Sequence, residues 1–203
     1  LQAGALLMRA SHVAMGAGLT GLEFASGIPG TMGGAVVMNA GAYGGEMRDV
    51  VKSVRVLLPD GQQKEYAREE LDFGYRRSRI AEEGSTVLDV TLELEPGDPD
   101  EIRGRMDELR EKRMAKQPLE YGSAGSTFKR PEGYFAGKLI EDAGLRGFRI
   151  GDAQVSEKHC GFIINRGNAT ASQIAELIRE VRERVLAYSG IHLETEVKFL
   201  GNF

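Results

Sequence analysis

Four stretches of this sequence bring together residue types that could do chemistry. Residues 73–80, FGYRRSRI, set Tyr75 beside Arg76, Arg77 and Arg79. A guanidinium offers paired N–H donors that match a carboxylate, and a neighbouring phenol adds another, so this run suits recognition of an organic acid. The commoner fate of such a run is a solvated face, because arginines seldom bury unpaired. Residues 121–130, YGSAGSTFKR, carry the Ser123, Ser126 and Thr127 hydroxyls with Lys129 close behind. They read either as a ligand loop or as a serine–glycine turn. In LETEV, residues 193–197, Glu194 and Glu196 share one face of an extended segment, either functional or facing solvent.

The fourth stretch, SGIPGTMGGAVVMNAGAYGGE at residues 26–46, holds seven of the chain's 27 glycines. Gly27, Gly30, Gly33 and Gly34 follow neither the dinucleotide-binding nor the phosphate-loop spacing, and the stretch has no lysine to meet a phosphate. What it can offer is backbone N–H groups unobstructed by Cβ atoms, suited to a planar or anionic ligand, with Asn39 as donor and acceptor. A tight irregular turn fits the composition as well. Gly16, Gly18 and Gly21 do satisfy G-x-G-x-x-G, but they read as closing a helix rather than opening one, which favours a helix end and turn over the dinucleotide reading. His159 reads as a hydrogen-bonded strand-edge residue. The three histidines and the single cysteine, Cys160, show no metal-ligand spacing, so no metal site is expected.

A net charge of −4 over 203 residues gives no electrostatic footprint for nucleic acid or an anionic membrane. One cysteine permits no internal disulfide, which fits a reducing cytosol. No apolar run reaches the roughly 20 residues of a membrane span. The chain opens at Leu1 inside an amphipathic segment, as a piece of a longer polypeptide would.

The elements that must hold these residues follow from periodicity. Leu6 to Ala14 predict a helix ending at Gly16 or Gly18. Residues 51–58 predict a strand with Val54, Val56 and Leu58 inward, turned by PDG into a partner at QQKEYA. In STVLDVTLELEPG, Leu88, Val90, Leu92 and Leu94 alternate with polar neighbours and with Val87. A charged helix follows, with Asp98 as N-cap, Pro99 in its first turn, and Ile102, Met106 and Leu109 on one face before Pro118. It marks the expected boundary between domains at 1–100 and 101–203. Beyond it lie a glycine-containing loop at 122–129, a short helix at 135–143, the strand GFIIN, and a helix from Thr170 with a T-x-x-Q capping box. A closing strand spans IHLETEVKFLG. Two α+β lobes result.

Taken in order, GLEFASGIPGTMGGAVVMNAGAYGGE, FGYRRSRI, QPLEYGSAGSTFKRP, AGLRGFRIGDAQVSEKH and LETEVKF resemble the UDP-N-acetylenolpyruvoylglucosamine reductases over essentially the whole chain. The resemblance implies the second lobe of a vanillyl-alcohol-oxidase-like FAD-binding unit followed by an α/β substrate domain of the MurB type. It also implies cytoplasmic reduction of UDP-N-acetylglucosamine enolpyruvate for peptidoglycan synthesis, with FAD as cofactor and NADPH as reductant. Carried over by motif, Arg76 binds the substrate carboxylate. Glu196 polarises it, protonated or through a shared proton, and Ser126 gives the proton to carbon 2. Gly27, Ile28, Pro29, Gly30, Thr31, Gly33, Gly34 and Asn39 would line FAD. Tyr75, Lys116, Gly125, Lys129 and Gln154 would contact the substrate.

Against that family pattern the chain is of the shorter type. The strand STVLDVTLEL follows YRRSRI almost at once, where the longer type inserts a tyrosine-bearing segment that closes over the substrate. It also lacks the first FAD lobe, which supplies much of the pyrophosphate loop, so the chain is expected to be an incomplete form of the enzyme, inactive or impaired by itself. A flavin-free module that only binds a UDP-sugar is the alternative expectation.

Overall fold

The computed structural model describes residues 1–201 and divides the α+β chain into two compact units, Leu1–Arg113 and a second beginning at Met114. The expected boundary near residue 100 lies at the start of the charged helix, whereas the units part near its end. The physical reason is packing along that helix: Ile102 sits against Gly97 and Arg113 against Gly27, so most of it belongs with the first unit.

In the first unit, α1 (Leu7–Gly16) and the short β1 (Leu19–Thr20) lead into the glycine-rich stretch. That stretch is not all loop. Thr31 caps α2 (Met32–Val37), its hydroxyl accepting from Gly34 N–H at 3.3 Å. A small hairpin, β2 (Gly41–Ala42) and β3 (Gly45–Glu46), and the single-turn α3 (Met47–Val50) follow. The core sheet has β4 (Val51–Leu57) at its centre, antiparallel both to β5 (Gln63–Ala67) and, beyond the short α4 (Arg79–Glu83), to β6 (Thr86–Leu92). β7 (Glu95–Pro96) pairs with β1, and α5 (Pro99–Lys116) closes the unit, with Asp98 Oδ1 accepting from the Asp100 and Glu101 N–H groups at 2.8 and 3.1 Å.

The simple alternation expected of β6 is broken. Arg55 faces Asp89 but Val56 faces Val87, so β6 carries an extra residue, Leu88, at a bulge. The slip brings Val87 onto the buried face with Val90 and leaves Leu88 and Leu92 half-buried. A second shift, near Lys52, lets Val51, Val54 and Val56 all point inward.

The second unit is a four-stranded antiparallel sheet in the order β8–β11–β10–β9, formed by β8 (Gly122–Ser126), β9 (Arg149–Ile150), β10 (Ala153–Val155) and β11 (Phe162–Asn165). The first five residues of the expected 122–129 loop are thus a strand, paired to β11. Between β8 and β9 lies α6 (Ala136–Asp142). The long α7 (Ala171–Ser189) starts at the foreseen capping box, in which Thr170 and Gln173 exchange bonds of 3.2 and 3.1 Å, worth about 1 kcal/mol. Its Leu177, Ile178, Val181 and Val185 are buried with Leu139, Ile140 and Ile163, each contributing roughly 1.5–3 kcal/mol by leaving water. The expected terminal strand is absent among the described residues. Phe128 and Thr195 make a single bridge, and no neighbouring strand runs far enough to extend it.

Candidate active site

The glycine-rich stretch divides its glycines between packing and exposure. Gly33 is buried where a Cβ would stand 3.0 Å from the Ala3 side chain, and its N–H donates to Ala3 C=O at 2.9 Å. Met32 N–H donates to Ala5 C=O at 2.8 Å, so the first amides of α2 serve the fold. Pro29, Gly30, Thr31 and Gly34 are exposed, Ile28 is half-buried, and the N–H groups of Gly30 and Thr31 meet no acceptor among the described residues. This open backbone edge fits close approach of a flat polar cofactor. Asn39 does not fit as a direct contact. It is fully buried, its Nδ2 donates to Gly74 C=O at 3.1 Å, and its Oδ1 accepts from Arg48 N–H at 2.9 Å.

The arginine run is split in the same way. Arg77 pairs with Asp72 at 3.0 Å and Glu82 at 3.4 Å, and Arg79 with Glu83 at 2.8 Å, all in solvent. Arg76 differs. Gly74 and Arg77 exchange backbone bonds of 3.1 and 3.2 Å, closing a tight turn with Tyr75 and Arg76 at its tip. Arg76 is half-buried with φ +53°, a left-handed conformation that turns of this kind reserve for glycine or asparagine. Its guanidinium lies 5.1 Å from the Tyr75 ring centre and its Nη2 donates to Gly41 C=O at 3.4 Å.

In the second unit, Ser126 pairs with Phe162 while Ser123 pairs with Ile164, so β8 carries an extra residue between them. Gly125 stands in this bulge at φ +86°, a conformation that strains a side chain. The bulge re-aims Ser126 to the surface, its Oγ donating loosely to Phe128 C=O at 3.3 Å. Next to it Thr127 is buried: its Oγ1 accepts from Ile163 N–H at 3.1 Å and its carbonyl from Glu196 N–H at 2.9 Å. Lys129 N–H donates to Glu194 C=O at 2.8 Å, and their side chains pair. Ser126, Lys129 and the half-buried Glu196 are therefore brought together by one short ladder, while Glu194 is exposed and committed to Lys129.

The remaining expected contacts stand apart from that ladder. Gln154 is buried in β10, donating to Gly147 C=O at 3.1 Å, with its Oε1 unpartnered among the described residues. Lys116 is exposed at the end of α5, near His159. Burial, and to a lesser degree Lys116, hold the His159 imidazole below its ordinary pKa, while its Nδ1 accepts from Gly161 N–H at 3.1 Å. That is a packed structural histidine. Burial likewise pushes the Cys160 thiol up. In the native protein Cys160 should resist iodoacetamide near neutral pH and react only after unfolding, and fast labelling of the native form would contradict its burial.

Asn39, Ser78 and Thr127 are structural partners, a role that residue type alone did not show: Asn39 and Thr127 read as ligand-facing groups and Ser78 as part of the arginine run. Ser78 is fully buried and its Oγ donates to Val37 C=O at 2.7 Å. The one signal for it was its place between two arginines, where a small polar residue suits an N-cap.

Residues 117–200 match the family described as UDP-N-acetylenolpyruvoylglucosamine reductase, C-terminal domain, and residues 1–66 match an FAD binding domain family. The UDP-N-acetylenolpyruvoylglucosamine reductase of Agathobacter rectalis is 60% identical over 99% of this chain and 64% of its own length. That of Lactiplantibacillus plantarum is 56% identical over 98% of this chain and 66% of its own. The chain thus spans about two thirds of the length of these curated relatives. The crystal structure of UDP-N-acetylenolpyruvylglucosamine reductase (MurB) from Thermus caldophilus superposes with a TM-score of 0.86 at 44% identity, covering 97% of this chain and 70% of that one. At that identity and coverage, the chain belongs to the UDP-N-acetylenolpyruvoylglucosamine reductase family.

Proposed function

We propose that the chain carries the catalytic residues of an NADPH-dependent, FAD-mediated reduction of UDP-N-acetylglucosamine enolpyruvate to UDP-N-acetylmuramate, a cytoplasmic step of peptidoglycan synthesis. The observation that carries the reading is Ser126 re-aimed by a bulge beside the ladder that holds Glu196, within a chain of this family. The exposed backbone of residues 29–31 and Gly34 would hold part of FAD, whose chemistry when bound is to relay hydride supplied by NADPH to carbon 3 of the enolpyruvyl group. Arg76 then holds the substrate carboxylate as charge gathers on carbon 2, with Tyr75 at its side. Glu196 polarises the same carboxylate. Ser126 delivers the proton to carbon 2, which completes a two-electron reduction of the double bond with NADP as the oxidised product. Lys129 and Lys116 offer positive charge to the UDP diphosphate. The units before and after Arg113 act as flavin-binding and substrate-binding parts. A first FAD lobe, within the third of the relatives that this chain does not cover, would complete the pyrophosphate site.

The test is flavin loading followed by turnover. Purified protein supplied with FAD should show a protein-bound flavin spectrum and oxidise NADPH beyond one equivalent per flavin only when the enolpyruvyl sugar nucleotide is present. Tight binding of the sugar nucleotide with no flavin uptake would replace this reading with that of a UDP-sugar-binding module.

A further inference from the structure

The turn that presents Arg76 is pinned on both sides to one place, the C-terminal end of α2. Ahead of the tip, Asn39 Nδ2 donates to Gly74 C=O at 3.1 Å; beyond it, Ser78 Oγ donates to Val37 C=O at 2.7 Å. Both side chains are fully buried, and both bonds link segments more than 30 residues apart in sequence. Asn39 itself sits at φ +42°, just past the last turn of α2, where asparagine tolerates the left-handed region. Its Oδ1 is held by Arg48 N–H at 2.9 Å, which fixes the amide so that Nδ2 must face Gly74. Arg76 meanwhile occupies a left-handed conformation that its own side chain disfavours. Something other than local preference has to keep that turn closed.

We propose that Asn39 and Ser78 form a two-point clamp in which Asn39 is a positioning residue for Arg76, coupling the glycine-rich stretch to the arginine. The carry-over that put Asn39 against the cofactor is thereby replaced by a role one step behind the reacting groups. The catalytic half of this inference rests on the reductase reading; the structural half does not.

Asn39→Asp isolates the bond in question. Aspartate keeps an acceptor for Arg48 N–H and tolerates the left-handed region, but at neutral pH it has no proton to give Gly74 C=O. Amide hydrogen exchange should then quicken roughly tenfold at Gly74 and Arg77, whose mutual bonds close the turn, with Val54 and Val56 of β4 unchanged. In the flavin-loaded protein, reoxidation by the enolpyruvyl substrate should slow roughly ten- to a hundredfold, as for loss of other orienting partners, while reduction by NADPH stays within about twofold. In an Arg76→Gly background the same change should cost under about twofold, since no side chain is left to misplace. If Asn39→Asp does not fold, Asn39→Gly, which keeps the backbone and removes both amide bonds, carries the same expectations. Unchanged exchange at Gly74 and Arg77 overturns the clamp, and equal slowing of both half-reactions overturns its catalytic purpose. Absence of turnover in the unsubstituted protein removes the reductase reading instead, and the exchange contrast still decides the clamp.

Discussion

Ser126→Ala is expected to leave reduction of the flavin-loaded protein by NADPH within about twofold and to slow its reoxidation by the enolpyruvyl substrate by about 10²–10⁴. The asymmetry follows from where the hydroxyl stands. Ser126 is exposed at the end of β8, its side-chain bond among the described residues is a loose 3.3 Å to Phe128 C=O, and the neighbouring Thr127 makes bonds that hold the ladder. Removing Oγ should therefore change stability by under about 0.5 kcal/mol. A serine hydroxyl is a weak acid, yet a carbanion at carbon 2 is a strong base, and on the proposed reading a donor held close to it would remove most of the remaining barrier. Rapid-mixing absorbance of each half-reaction separates the two rates, and thermal unfolding checks the fold. Equal losses in both half-reactions would make the residue structural and return the proton to solvent.

Much of the fold was legible because its signals were local. The Thr170–Gln173 capping box and the Asp98 cap are read within a few residues, and each formed as expected. What could not be read was anything set by pairing at a distance. The bulge that turns Val87 inward depends on how β6 meets β4, and the strand at 122–126 exists because Phe162 and Ile164 lie beside it. The terminal LETEV segment has a strand's alternation, but the described partner beside it, residues 127–129, is too short to make more than a bridge. The candidate site divides along the same line. Residue types marked the runs that hold Arg76, Ser126 and Glu196, and the family resemblance picked these three from them, whereas Asn39, Ser78 and Thr127 declare their structural purpose only through bonds to Gly74, Val37 and Ile163.

Arg76→Gly should separate function from folding most sharply. Glycine is the residue that the backbone at φ +53° asks for, and an arginine there costs about 1 kcal/mol in local strain. Glycine's greater freedom in the unfolded chain offsets roughly 0.5–1 kcal/mol of that relief, so net stability should change by less than about 1 kcal/mol in either direction. Turnover, in contrast, should fall by about 10²–10³, the usual effect of deleting a donor preorganised for a developing charge. Arg76→Lys makes the complementary point. It keeps the strained backbone and the positive charge but replaces a planar fork by a point charge, so turnover should still fall more than about tenfold. Steady-state rates and unfolding midpoints of the two variants decide the matter together. A lysine variant with undiminished turnover would remove Arg76 from carboxylate recognition. A glycine variant that loses several kcal/mol of stability would mean that the arginine is kept for the fold. Lost turnover at little-changed stability is the pattern expected of a side chain held for its chemistry.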